Sequence, residues 1–307
     1  LFDRYDVVAP YQDNGLYYGD QRRLISQLYA ERQTARSYLS IAAFSLQSLR
    51  VAVANQDAPG LNIFENDNSL PVVGPLIDAR WEPAGPLFGG RLRLHGSSVA
   101  LFRDAYVGGP VLRPEQIPTG STLGLPGVDS RRISGQAEWR RILTSASGLQ
   151  WEPFVDVRAD VYSVADLPPM LGVDSATITR GRATAGLDVS YPLIRRFANG
   201  TDLVLEPLGQ LSLSTDSDLD PRIPNEDSQT LELDESSLFR VDRFPGQDLY
   251  EGGLRLTAGT RATLNWDGGR QVSLFVGRSL RLDEEPAFLT PVPDAPAQLY
   301  DPSGLAA

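Results

Sequence analysis

The chain has 307 residues, 41% hydrophobic and 22% charged, a mixture that excludes both a disordered polymer and a bundle of membrane helices. Its net charge of −11 argues against nucleic acid as a partner, because that partner needs a basic face. With no cysteine there is no disulfide framework or thiolate chemistry, and no run approaches the ~18–20 apolar residues of a membrane-spanning helix.

The opening LFDRYDVVAP carries no basic n-region or apolar h-region, and the closing DPSGLAA carries no terminal motif. The chain therefore reads as the interior of a longer protein, with any targeting signal upstream. About ten segments then alternate apolar and polar residues with the period of two that marks a half-covered strand. They are 22–32, 36–48, 71–82, 89–103, 131–143, 149–163, 180–195, 201–214, 249–265 and 270–282, the first four alternating less cleanly.

Two faces follow from that alternation. One collects Leu187, Val189, Leu203, Leu205, Leu254, Leu256, Val272 and Leu274, with Val155 and Val157 beside them. The other collects Arg132, Glu138, Arg140, Asp156, Arg158, Asp160, Asp188, Glu206, Arg255 and Arg261. Both signs are interspersed there, which predicts cross-strand pairing and a hydrated interior rather than a single-sign selectivity ring. Many segments exceed the ~5–6 residues usual for soluble strands and approach the ~9–11 that a tilted strand needs to cross a bilayer.

The connections are of two kinds. Short ones fall at 33–35, 84–87, 144–148, 197–200 and 266–269, with turn residues such as Asn199-Gly200 and Asp267-Gly268-Gly269. Long polar ones fall at 49–70, 104–130, 164–179 and 215–248, and the two kinds alternate along the chain. All tight turns then lie at one end of the sheet and all long loops at the other, as in outer-membrane barrels. Trp81, Trp139, Trp151 and Trp266 sit near the tight turns, where aromatic residues form an interfacial girdle. The expected fold is all-β: an antiparallel transmembrane β-barrel fragment of about ten strands from a larger barrel. Residues 1–307 would be part of that one domain. A soluble β-sandwich binding module, a general porin or transporter, and a surface adhesin or secretion barrel remain alternatives on pattern alone.

No motif points to catalysis. Asp216, Asp218 and Asp220 open with EF-hand spacing, but Pro221 stands where the sharp-turn glycine belongs, so a solvated acidic loop is the better reading. His95 is the sole histidine and reads as a polar residue on the wet face, so no metal site and no cofactor are expected. No nucleophile elbow, P-loop or dinucleotide fingerprint occurs. Glu138 and Asp156 read as balanced wall charges rather than an acid–base pair.

The stretch RIPNEDSQTLELDESSLFRVDRFPGQDLYEGGLRLTAGTR, residues 222–261, resembles the barrel of the LPS-assembly outer-membrane LptD (OstA) family. The resemblance rests on Leu205-Glu206-Pro207, the IPNEDS run, Leu238-Phe239, Asp242-Arg243-Phe244, Gly246 and the strand after Gly253. Asp3-Arg4-Tyr5 and PVVGPLID at 71–78 also fit. It implies a barrel of about two dozen strands behind an N-terminal periplasmic jellyroll. Such proteins receive lipopolysaccharide from periplasmic bridge proteins, through that N-terminal domain, and release it through a lateral seam into the outer leaflet. An LptE-type lipoprotein plugs the lumen. The resemblance thus implies the outer membrane of a Gram-negative bacterium, with outer-membrane lipid around the wall and no enzyme activity. Jellyroll and seam strands would lie outside these residues, and the family's disulfide cysteines have no counterpart. Loop 215–248 is expected at the cell surface, folded over the mouth.

Overall fold

The computed structural model describes residues 23–48, 53–54, 62–63, 70–104, 127–217, 220–228, 234–266, 268–282 and 285. Asp3-Arg4-Tyr5, Asp218, Asp267 and most of the connections 49–70 and 104–130 lie outside the described residues. In chain order the strands are β1 (Arg23–Gln33), β2 (Ser37–Ser48), β3 (Val53–Ala54), β4 (Asn62–Ile63), β5 (Val72–Trp81), β6 (Arg91–Phe102) and β7 (Asp129–Arg140). There follow β8 (Leu143–Thr144), β9 (Gln150–Ala165), β10 (Ser175–Ser190), β11 (Leu193–Arg196), β12 (Asp202–Ser214), β13 (Gly253–Trp266) and β14 (Arg270–Arg281).

Each alternating segment becomes a long strand of one sheet, ordered β1-β2-β5-β6-β7-β9-β10-β12-β13-β14 with every neighbour antiparallel. The short β8 and β11 pair antiparallel with the tight-turn ends of β9 and β12, and β3 pairs β4 in a separate ribbon. Among the described residues the sheet is open, with β1 and β14 at its two edges. An unpaired edge presents a row of free backbone groups, which would be costly in hydrocarbon.

Burial along β9 runs opposite to that of a soluble sheet. Asp156, Arg158 and Asp160 are 1%, 5% and 2% exposed, while Val155 and Val157 are 43% and 46% exposed. A water-facing sheet would bury the valines, since apolar area removed from water contributes about 25 cal/mol per Å². Among the described residues no second sheet covers the apolar face, which removes the support for a soluble sandwich. All four tryptophans lie on that face near the tight turns, with Trp81, Trp151 and Trp266 exposed and Trp139 Nε1 donating to the Leu87 carbonyl at 2.7 Å.

Two details differ from the sequence expectation. Strand β9 runs on to Ala165 and β10 begins at Ser175, which shortens that connection to 166–174, holding one 3-10 turn at Pro169–Leu171. Here Tyr162, Val164 and Ile178 turn toward the polar face and join Val128 and Leu167 in a small apolar core. Alternation inverts at that point, so a pattern reading stops early. In β5 the register shifts between Val73 and Leu76, where Pro75 can donate no ladder hydrogen bond.

Candidate functional site

The strand registers set ten charged residues, Arg132, Glu138, Arg140, Asp156, Arg158, Asp160, Asp188, Glu206, Arg255 and Arg261, on one side of the sheet. Glu138 stands opposite Asp156 across β7–β9, Glu206 opposite Arg261 across β12–β13, and Asp188 opposite Gln210 across β10–β12. Arg132, Asp156, Arg158, Asp160 and Arg255 are buried; Glu138, Arg140, Asp188, Glu206 and Arg261 are half-buried. The eight apolar positions share the opposite face. Leu187 pairs with Leu211, Leu211 with Leu256, Leu213 with Leu254, and Val189 with Trp151. Leu203 pairs with Leu264, Leu264 with Val272, and Leu205 with Ala262, itself opposite Leu274.

The charged face divides along the strand axis. Toward the tight turns the wall neutralises itself: Arg140 binds Glu138 and Asp188 (2.8 Å), and Arg261 binds Glu206 (2.9 Å). His95 lies here too, its ring nitrogen 2.9 Å from Asp78. A cavity of about 440 Å³ opens among Arg36, Arg80, Arg93, His95 and Glu138.

Toward the long loops arginines outnumber the wall's own Asp156 and Asp160, and the loop between β12 and β13 supplies further anions. The described residues of that loop lie against the polar face. The reason is charge. Glu226 holds Arg103 through both carboxylate oxygens at 2.5 Å. Asp227 and Asp248 converge on Arg132 at 2.9 and 2.5 Å. Asp242 pairs with Arg182, which also binds Asp156 of the wall at 2.6 Å. Glu235 reaches deepest, to Arg261 at 2.6 Å. Glu251 binds three guanidinium groups, those of Arg243, Arg255 (2.6 Å) and Arg281. In this half of the sheet the loop covers part of the polar face.

The loop is braced internally as well. Asp227 accepts the backbone N–H groups of Gln247 (2.9 Å) and Asp248 (3.0 Å), while Asp248 accepts those of Glu226 (2.8 Å) and Asp227 (3.2 Å). Gly246 sits so close that a Cβ there would strike the Asp227 side chain and carbonyl, which is why a glycine is required. Burial and the neighbouring Asp227 charge push the Asp248 carboxyl up to about 6, against the pull of Arg132. Burial likewise raises Asp242 to about 6, against Arg182 and Arg158. For Asp227 and Glu251 burial also opposes ionisation, but Arg132 with the backbone donors, and Arg255 with Arg243 and Arg281, outweigh it and hold both below the usual carboxylate range.

Sequence reasoning missed Arg103, Arg180, Arg182, Arg281 and the acidic partners in the loop. The β10 arginines carried a usable signal, since Arg180 and Arg182 continue the parity of Thr184 and Asp188. Asp220 of the EF-hand-like run is engaged by Arg222 at 2.5 Å, and the Asp216 carbonyl accepts from Tyr250 Oη at 2.8 Å. Among the described residues no group of acidic and histidine side chains is arranged to hold a metal ion.

A protein-family model, that of the LptD family (LPS transport system D), matches residues 13–304. The chain belongs to the LptD family. Comparison with curated proteins finds no match. Membership ties the chain to lipopolysaccharide transport and assembly at the outer membrane, and the all-β antiparallel sheet agrees with it. Several residues that carry the LptD resemblance also join the loop to the wall. The IPNEDS run contributes Glu226 and Asp227, with Asn225 and Ser228 closing a turn between them. Asp242 and Arg243 bind Arg182 and Glu251. Leu238 is buried, and Phe239 meets Phe275 of β14 edge to face.

Proposed function

We propose that the chain forms part of the wall of an outer-membrane translocon that inserts lipopolysaccharide into the outer leaflet of a Gram-negative bacterium. Residues 1–307 belong to one transmembrane β-barrel domain. Leu187, Val189, Leu203, Leu205, Leu254, Leu256, Val272 and Leu274 meet membrane lipid. Arg132, Glu138, Arg140, Asp156, Arg158, Asp160, Asp188, Glu206, Arg255 and Arg261 line the lumen. The observation that carries this reading is the inverted burial of a long-stranded antiparallel sheet in a chain of the LptD family.

Transport then follows from geometry. The wall keeps a polar path beside an apolar exterior, so a molecule with a charged saccharide and fatty acyl chains can satisfy each part on its own side. An LptE-type lipoprotein would occupy the lumen toward the tight turns, where the wall is not covered by its own loop. Periplasmic bridge proteins would deliver substrate through an N-terminal domain.

The test uses the full-length protein in its own cells. A photocrosslinking residue at Gln136, on the polar face, is expected to capture lipopolysaccharide, and one at Val276, on the apolar face, phospholipid. Depletion of the protein is expected to stop delivery of lipopolysaccharide to the cell surface. Normal delivery after depletion, with no lipopolysaccharide adduct at Gln136, would remove the translocon reading.

A further inference from the structure

The division of charge between loop and wall is sharper than packing alone requires. Across that boundary the loop supplies the carboxylates, Glu226, Asp227, Glu235, Asp242, Asp248 and Glu251, and the wall supplies the guanidinium groups. The wall balances only part of its own charge: Asp160 binds Arg158 and Arg180, and Asp156 binds Arg182. Arg182 stands directly opposite Arg158 across β9–β10, and Arg255 directly opposite Arg281 across β13–β14. Like charges paired across strands are destabilising unless an anion lies between them. At Arg158 and Arg182 the loop adds Asp242 to the wall's own Asp156 and Asp160, and between Arg255 and Arg281 it supplies Glu251.

The loop does not use all that the wall offers. The Nε–H groups of Arg132, Arg182 and Arg255 are buried with no partner among the described residues. All 28 basic residues of the chain are arginine, whose planar fork suits the paired oxygens of carboxylate or phosphate. The Tyr250 ring of the loop rests within 5.8, 5.2 and 5.9 Å of the Arg158, Arg180 and Arg182 guanidinium carbons, a stacked flat surface in the centre of the cluster.

We propose that this arginine wall is a binding surface for the phosphate groups of the transported glycolipid, and that the acidic loop is an internal stand-in which holds it until the substrate displaces it. The proposal rests on the translocon reading above and names the chemistry that its charged face recognises. Phosphate exceeds a single carboxylate in charge and in acceptor oxygens, so it competes for the same guanidinium groups and meets donors the loop leaves unused. Loop displacement is then driven by the substrate, and the wall arginines are not left exposed without a counter-ion.

The experiment follows amide hydrogen exchange of residues 234–251 in the full-length protein, with its lipoprotein partner, in detergent. Three probes are added separately: native lipopolysaccharide, the same lipid dephosphorylated, and inorganic pyrophosphate. Exchange is expected to rise by roughly tenfold with native lipid and to stay unchanged with dephosphorylated lipid. Pyrophosphate should act at higher concentration, which separates phosphate chemistry from the lipid that carries it. Asp242→Asn, which removes one loop charge at constant shape, is expected to lower the pyrophosphate concentration needed several-fold. Equal responses to native and dephosphorylated lipid would overturn the proposal. So would a loop that stays protected while the same sample passes lipopolysaccharide into acceptor vesicles. If pyrophosphate releases the loop but no lipid is moved, the anion surface stands and the translocon reading falls.

Discussion

Replacing Glu251 with Ala is expected to undock the loop between β12 and β13 from the wall. Glu251 is 2% exposed and binds Arg243, Arg255 and Arg281, of which Arg255 and Arg281 are cross-strand neighbours. Breaking a buried ion pair on one side leaves the other charge desolvated, at about 3–5 kcal/mol. Here one carboxylate compensates several guanidinium groups, so the upper part of that range applies to docking of the loop. Glu285 partly offsets the loss, since it lies 3.1 Å from Arg281. The expected readout is proteolysis within 234–251 in the full-length barrel under conditions that leave the parent intact, while the strands themselves remain resistant. Unchanged resistance of the loop in the variant would show that Glu251 does not hold it. Exposed pairs such as Arg196 with Asp202 differ, because water screens both partners and their loss moves stability little.

The second large effect concerns the apolar face. Leu274 is 64% exposed near the middle of β14, and its neighbour Ser273 points to the other face opposite Thr263. If the apolar face meets hydrocarbon, Leu274→Arg costs about 2–4 kcal/mol near the bilayer midplane. Ser273→Arg places the same charge one residue away against water and costs within about 0.5 kcal/mol. Denaturant titration of the full-length barrel in lipid vesicles distinguishes them. Similar stability for both variants would mean that the two faces see the same solvent. Thr257 is unsuitable as the polar control, since it is fully buried beneath Ser279 with the two hydroxyls 3.1 Å apart.

Nearly all of the sheet was legible in the sequence, for a local reason. In β7, β9, β10, β12 and β13 one face must be apolar and the other polar, so the solvent on each side is written into every second residue. Legibility failed where that rule reverses. Tyr162, Val164 and Ile178 are apolar residues on the polar face, drawn there by the core under Leu167, and they hid the outer ends of β9 and β10. The charged face was legible as a set but not as a mechanism. Arg132 finds Asp248, 116 residues away, and Arg103 finds Glu226, 123 residues away. No local period encodes such a pairing. The acidic loop looked like a solvated surface loop because its composition is that of one, and only the arginines facing it explain why it lies inside. The resemblance at 222–261 identified the segment without giving its place, since a motif fixes residue types and not the partner surface.

The central claim is that one face of this sheet is bathed in lipid and the other is not. The most direct measurement places nitroxide labels singly at positions 272, 273, 274 and 276 of the full-length protein in lipid vesicles. Collision rates with oxygen, which partitions into lipid, are compared with those of a water-soluble nickel complex. Oxygen is predicted to dominate at 272, 274 and 276, and the nickel complex at 273, a period of two along β14. Nickel accessibility at all four positions, with no alternation, would contradict the assignment of this face to the membrane.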